Sequence, residues 1–433
     1  MNVLFYPRRR APEQRGGDWL ALQETIRALE PLGVRATIST DPTLDLAPFD
    51  IVHLYSLGDP YSALEYALNV LRQQKPFVVT PIYWRHHQWL DARLRPTPNH
   101  PEYALDALSD AERAQVHQLI QLEENLYTGV HQFILRAAAR VFILSHAEGE
   151  ILRADFGVRA EQMRVTHNGV AAAYAHGDAE RFLAAHSIPA RDFVLCVARV
   201  EERKNSLGVI RAWREENVPL VFVGRAPDEA YLQMCRAEAG AHVYFCGALS
   251  PDQVADACAA AKVHVMASWW EEQGMAALEA GIAGCNLVMT QNSPGREYFG
   301  DACFTCDPAD ARSIHDAIRA ALDAPRNSAL AAHIRETFTW ERAANTLRDA
   351  YAAAQNTAPA SIDPFALINL TAQLRELWHI KHREHLRLSD AAAQQAAWLE
   401  QLEAIQAQRR RRRVKLDALP FVQNITAWLE RRG

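Results

Sequence analysis

Residues 262–284 read KVHVMASWWEEQGMAALEAGIAG, a strand, a turn and a helix, and that order decides the fold. Valine-rich KVHVM is the kind of short apolar run that forms a buried strand, and MAALEAGIA reads as a helix of small residues. The turn between them begins near Ser268 and holds Gly274. The first amides of such a helix lack partners within it, so a bound diphosphate would meet favourable dipoles there. Glu271 and Glu279 bracket the turn with seven residues between them. They do not share one short helix face, but one in the loop and one in the helix can grip opposite ends of an elongated ligand. Taken alone the pair is equally well two solvated acids on an amphipathic helix, and only its surroundings can choose.

Upstream, FVLCVARVEERKN (193–205) places Arg199 and Lys204 just after another apolar strand. Strand-turn-helix order puts those cations beside the same crevice. Arginine holds phosphate through a planar fork and lysine acts as a mobile point charge, so the pair suits a diphosphate leaving group. The plainer reading is a surface charge cluster, since Glu201, Glu202 and Arg203 lie between them. Both clusters follow strands on one side of a predicted parallel sheet, which favours the ligand reading.

Strands and helices alternate along most of the chain, the pattern of an α/β protein with parallel sheets covered by helices. The first half predicts strands near 3–6, 34–38, 51–54, 77–80, 141–144 and 164–166, with a long helix over about 110–139. Ser145 and Glu148 carry a capping-box signature, each side chain meeting an exposed backbone donor at a helix start. The second half predicts strands near 194–198, 220–223, 243–246, 263–266 and 287–290, and Ser250-Pro251 opens one of its helices. Residues 169–191 lack a clear strand. The expected organisation is therefore a first domain over 1–172, an interdomain linker over 173–191 and a second domain over 192–338. A crossover helix over 339–356 and an amphipathic helical extension over 363–433 complete it. Ligands of such folds bind at the carboxyl ends of the strands, in the cleft. No GxGxxG follows the first strand, which makes a dinucleotide-dependent dehydrogenase remote.

Arg199-x-x-x-x-Lys204, the Glu271 to Glu279 motif with Gly274, and HNGV at His167 to Val170 resemble retaining GT-B glycosyltransferases of the large family four. The resemblance spans residues 1–356 and is strong from Phe193 to Thr290. It implies two Rossmann-like domains facing a cleft, a nucleoside-diphosphate sugar as co-substrate, and no metal or other cofactor. It implies that Arg199, Lys204 and the amides of Gly274, Met275, Ala276 and Ala277 hold the diphosphate, that Glu271 holds sugar hydroxyls and that Glu279 holds the ribose. On the same grounds Gly16 and Gly17, in the loop after the first strand, are expected to face the donor phosphates or the acceptor. The acceptor would be a glycan, a lipid-linked molecule or a protein, and the commonest task of such enzymes is bacterial cell-surface glycan assembly. Many relatives carry a histidine two residues after the position of Thr80; here it is Ile82. His86 and His87 follow in TPIYWRHHQW, an aromatic stretch around Tyr83 that reads as an acceptor-side wall, though solvated loop histidines are the simpler account. His167 reads equally as a support for the Asn168-Gly169 turn. Arg296 and Glu297 in SPGREYFG read as braces of the next strand-to-helix loop.

Composition agrees with a two-domain enzyme. The chain has 433 residues and a formal charge of −6, which argues against nonspecific nucleic-acid binding. No apolar run approaches the roughly 20 residues that cross a bilayer, and the chain opens on a strand, MNVLFYP, so a cytoplasmic protein is expected. Its seven cysteines include Cys303 and Cys306, a CxxC lookalike with no second pair at zinc-site spacing.

From Asp363 onward the chain departs from the family. That stretch carries 12 Lys and Arg against 8 Asp and Glu, a net of +4 on a body of −10. Leu367, Leu370, Leu374 and Leu377 follow three-and-four spacing, as do Val422, Ile425 and Leu429, so amphipathic helices are expected. Their partner is the enzyme's own surface, a second copy or the inner face of a membrane. The spacing favours packing or self-association. Arg409 to Arg413 point all round a helix and define no single face. Two other functions stay open: a sugar-nucleotide epimerase of the same architecture, and an inert nucleotide-sugar-binding scaffold, to which Ile82 and the extension lend some support. A two-carboxylate hydrolase fits less well.

Overall fold

The computed structural model describes residues 1–14, 16–85, 110–357, 366–373 and 376. Two compact units are distinguished, the first comprising Met1–Arg113 and His131–Ser361 and the second Ala114–Val130 and Ile362–Gly433.

The first unit holds two six-stranded sheets. One is built from β1 (Asn2–Pro7), β2 (Arg35–Ile38), β3 (Ile51–Tyr55), β4 (Phe77–Thr80), β5 (Arg140–Ile143) and β6 (Met163–Val165), in the order β2-β1-β3-β4-β5-β6. The other is built from β7 (Val194–Val197), β8 (Leu220–Val223), β9 (Val243–Phe245), β10 (Val263–Met266), β11 (Asn286–Thr290) and β12 (Cys303–Cys306), in the order β12-β11-β10-β7-β8-β9. Every pairing is parallel. Parallel neighbours need long crossovers, here mostly helices, which cover both faces and explain the unbroken apolar runs of the strands. All five residues of β3 and of β11 are buried. Among the buried polar residues of these strands is His53 of β3, satisfied by Tyr351 Oη at 2.7 Å and Thr80 Oγ1 at 2.8 Å.

Strand β12 was not expected. The CxxC lookalike is this strand, and Cys303 and Cys306 point into the cores on opposite faces of the sheet, so they cannot pair. Residues 173–191, expected as a linker, hold a 3-10 turn (Ala172–His176) and the helix Ala179–His186. Phe182 and Ile188 there are buried in the core of the second sheet, with Val254 and Cys258.

The chain passes between the sheets twice, and the two passes touch. Val170 N–H donates to Phe338 O at 3.0 Å. Gly169 abuts the backbone of Thr339 and Trp340, where an added Cβ would lie 2.6 Å from Thr339 C. The helix Trp340–Gln355 then packs Ala344, Leu347, Tyr351 and Ala354 against Val3, Phe5, Val78 and Phe142 of the first sheet.

In the second unit Leu126, Val130, Leu367 and Leu370 are buried, and a Cβ on Gly129 would come within 2.9 Å of Leu370 Cδ2. Part of the leucine stripe is thus covered by this chain. Leu374, Leu377, the stripe at Val422 and the Arg409 run lie outside the described residues. Among the described residues no helix is long and apolar enough to cross a membrane.

Candidate active site

Strand order places the site. From β7 the second sheet grows to β8 and β9, then the chain returns to β10 on the other side of β7 and continues to β11 and β12. The loops leaving β7 and β10 therefore diverge, opening a crevice at their carboxyl ends. The β7 loop carries Arg199 to Lys204 and the β10 loop carries Glu271.

Glu271, 4 % exposed, forms an ion pair with Lys204, and Arg203 Nη1 lies 3.6 Å from the same carboxylate. Burial would raise the Glu271 carboxyl, but the charges of Lys204 and Arg203 outweigh it and hold the group below its ordinary range. Burial, with Arg203 beside it, lowers Lys204. Arg203 was counted only as an intervening charge; it also donates to Trp270 O at 3.1 Å and stacks 4.4 Å from the Trp270 ring centroid. Arg199 joins through Glu201, 2.9 Å from Arg199 Nη2 and 3.6 Å from Arg203 Nε. Backbone bonds hold the loops in register: Trp269 N–H donates to Arg203 O at 2.9 Å and Glu271 N–H to Asn292 O at 3.1 Å.

Gly274 has φ +70°, the left-handed conformation that glycine adopts without strain, and caps the helix Met275–Ile282. Ala277 N–H is already spent on Gly274 O at 2.8 Å. The expected row of four amides is thus shortened, and Met275 and Ala276 supply the free donors of the first turn. Glu279, one turn on, sits against Tyr174; burial raises its carboxyl to about 7, which the Tyr174 contact opposes. Tyr174 lies in the stretch expected as a linker. It also feels the charge of Glu24, on the helix Gly17–Leu29 of the first sheet.

On the first-sheet side, Gly16 caps that helix with φ −74°, so its backbone does not require glycine. An added Cβ would press on Asp18 Oδ1 at 2.8 Å, whereas Gly17 faces open space. Arg8, which sequence reasoning missed, bonds Asp18 at 2.7 Å beside this loop, and its charge reaches Arg199. Gly16 and Gly17 thus lie in the loop beside Arg8.

The described start of the aromatic stretch is not a free wall. The Tyr83 ring packs on Phe156 and His131 with centroids at 5.0 and 5.3 Å, and Arg85 pairs with Asp155. His86 and His87 lie outside the described residues. Ile82 has φ +53°, an outlying conformation for a β-branched residue, and so marks strain in the loop where relatives place histidine. Glu148 departs from the capping box. Ser145 Oγ accepts from Glu148 N at 2.9 Å, as expected, but the Glu148 carboxyl turns to Tyr83 N at 2.8 Å and Leu144 N at 2.6 Å.

Three ties join the loops of the two sheets. Gln273 and the Asn168 backbone exchange two bonds, at 2.9 and 3.1 Å. Tyr298 Oη donates to Leu144 O at 2.7 Å, the carbonyl that His167 Nδ1 also meets at 2.6 Å. Glu297 accepts from the amides of His146 and Ala147, at 2.7 and 3.0 Å, so it caps a helix of the opposite sheet and does more than brace its own loop. Replacing Glu297 with alanine removes two bonds by which an exposed carboxylate caps the opposite helix, a loss of roughly 0.5–2 kcal/mol. The expected result is a larger radius of gyration by small-angle scattering, with the melting midpoint lowered less than a core cavity would lower it.

Burial also gives the protein a pH signature. Glu148 is raised to about 8 and Glu272 to about 7, each chiefly by burial. With Glu279, these groups bind protons more tightly folded than unfolded, so their contribution is full below about pH 4.5 and is lost as pH rises through 7 to 8. His53 and His264, lowered by burial to about 3 and about 4, act in the opposite sense but only below their unfolded value of 6.5. Between pH 6.5 and 8.5 stability should therefore fall, by about 1.4 kcal/mol per pH unit for each proton difference. Glu148→Gln should flatten the dependence of the melting midpoint on pH; equal slopes in both proteins would contradict the assignment.

Two parallel six-stranded sheets with a crevice at a reversal of strand order are the architecture of the GT-B fold. The chain belongs to the glycosyl transferases group 1 family, which matches residues 179–337, and the glycosyl transferase 4-like domain matches residues 4–169. It is an enzyme of sugar transfer. Similar solved structures include sucrose-phosphate synthase from Thermosynechococcus elongatus, 18 % identical with a TM-score of 0.62 over 82 % of this chain and 98 % of that one. HepE of Anabaena, solved with UDP, is 16 % identical with a TM-score of 0.59 over 82 % of this chain and all of that one. A glycosyltransferase from Rickettsia africae is 12 % identical with a TM-score of 0.60 over 82 % and 99 %. At these identities the likeness carries the fold alone. No curated protein matches the chain.

Proposed function

We propose that the protein transfers a sugar from a nucleoside-diphosphate donor to an acceptor hydroxyl with retention of anomeric configuration, in the assembly of a cell-surface glycan or glycoconjugate on the cytoplasmic side. The observation that carries this reading is the buried Lys204–Glu271 pair at the reversal of strand order, beside a helix whose first amides are free. Arg199, Lys204 and the amides of Met275 and Ala276 stabilise the charge that develops on the diphosphate, preorganised in a site where water is scarce. Glu271, kept ionised by its cations, accepts from sugar hydroxyls, and Glu279 with Tyr174 takes the ribose. The acceptor attacks from the face the diphosphate leaves, and the departing phosphate takes the acceptor proton. The cations do the work that a metal does in other transferases, so the reading needs none.

Similar structures support a nucleoside diphosphate as ligand, HepE having been solved with UDP and starch synthase IV of Arabidopsis thaliana with ADP. A thermal-shift screen of uridine, guanosine and adenosine diphosphate sugars tests it. One base class should raise the melting midpoint, because a ligand that binds only the folded state stabilises it, by about 2.7 kcal/mol at a hundred times Kd. No shift with any of them would refute the donor assignment.

A further inference from the structure

At the amino ends of β4, β5 and β6 a cavity of about 420 Å³ is lined by four arginines, Arg136, Arg140, Arg159 and Arg164, with a single acid, Glu161. Its position follows from the sheet. Val78 pairs with Arg140 and Phe142 with Arg164, so the starts of three neighbouring strands lie side by side, and Arg136 comes from the last turn of the helix that feeds β5. Thr357, just past the last helix of the unit, adds a hydroxyl to the rim. Glu161 is engaged with Arg159 at 3.1 Å. Arg140 and Arg164 are braced instead by carbonyls: Arg140 Nη1 donates to Ala139 O at 2.7 Å, and Arg164 Nη1 to Met163 O at 2.7 Å. Among the described residues Arg136, Arg140 and Arg164 have no carboxylate partner. A guanidinium carries five N–H groups, so these bonds fix the forks and leave most of their donors unspent.

We propose that this cavity binds a phosphate-bearing anion. Four guanidinium charges, only one of them met by a carboxylate, crowd one half-open cavity, and a ligand with two or more negative charges relieves their repulsion. Planar forks match the paired oxygens of a phosphate in a way they cannot match chloride, and a phosphate brings more charge than a lone carboxylate. The same chemistry belongs to a soluble phosphorylated molecule and to a phospholipid headgroup. Neither involves the donor crevice, which lies after β7 and β10 of the other sheet, so this inference stands or falls independently of the proposed reaction.

The test uses the full chain and the double variant Arg140→Ala/Arg164→Ala, with Arg136→Ala as a second, exposed variant in case the first does not fold. Inorganic pyrophosphate is titrated calorimetrically into each at low salt. Vesicles of phosphatidylglycerol, and of phosphatidylcholine as control, are sedimented with each. Because the donor crevice also attracts pyrophosphate, the quantity read is the difference between proteins. At least tenfold weaker binding in the variant, with vesicles inert, identifies a soluble ligand. Sedimentation with phosphatidylglycerol alone, lost in the variant, identifies a headgroup. Pyrophosphate and vesicle behaviour unchanged by the substitutions would overturn the proposal.

Discussion

Glu271→Ala is expected to abolish turnover and to destabilise the fold, whereas replacing both partners, as Lys204→Met/Glu271→Leu, is expected to restore stability without activity. The distinction follows from burial. With Glu271 4 % exposed, its removal strands the Lys204 ammonium in a medium that solvates it poorly. Breaking such a pair costs about 3–5 kcal/mol, while exchanging the whole pair for apolar side chains of similar volume is close to neutral. Arg203, 3.6 Å away, loses one of its two carboxylate neighbours and keeps Glu201, so the effect of the single substitution stays within that range. Catalysis responds differently. Both variants lose a charge aimed at the reacting end of the donor, and losses of this kind reduce kcat by roughly 100- to 1,000-fold. Melting curves and donor turnover, measured together on the two proteins, separate a pair that holds the fold from a pair that also serves the reaction. Recovery of turnover in the double variant would show that the charges are structural only.

Gly169→Ala should have the second large effect, through geometry alone. The glycine lies where the two passes of chain between the sheets meet, and an added Cβ falls on the backbone of Thr339 and Trp340. Two of the three nearest atoms are backbone and the third is Trp340 Cγ, at the root of its side chain, so no flexible side-chain end can yield. Overpacking usually costs about 1–3 kcal/mol, and a clash with main chain belongs at or beyond that limit. The substitution should also break the bond from Val170 N–H to Phe338 O, and with it the seating of the helix Trp340–Gln355 on the first sheet. The expected result is a melting midpoint lowered by several degrees and faster proteolysis near residue 340. An unchanged midpoint would mean that the two passes are not held as described.

Much of this architecture was legible because parallel strands buried on both faces leave apolar runs that no turn interrupts. KVHVM, FVLCV and the strand at Leu220–Val223 are of this kind. CFTC escaped because a four-residue edge strand with two cysteines and a threonine carries little of that signal. The helix Ala179–His186 escaped because it is short; Phe182, buried in the second core, and Leu183 beside it were its only large apolar signs. In the site, Arg199, Lys204, Glu271 and Gly274 sit at strand ends and helix starts, positions that periodicity fixes. Arg203, Arg8, Tyr174, Gln273 and Glu297 take their places from partners far along the chain, and spacing does not register such partners. Glu148 is the sharpest case: the local half of its capping box formed, and a long-range bond to Tyr83 N captured the other half.

The central claim is that the crevice after β7 and β10 cleaves a nucleotide sugar. A time course of the donor identified by thermal shift, followed by phosphorus NMR with the purified full chain, tests it most directly. Slow release of nucleoside diphosphate is expected, falling at least about 100-fold in Lys204→Ala. A donor that binds and stays intact, or that returns as its epimer, would contradict the account.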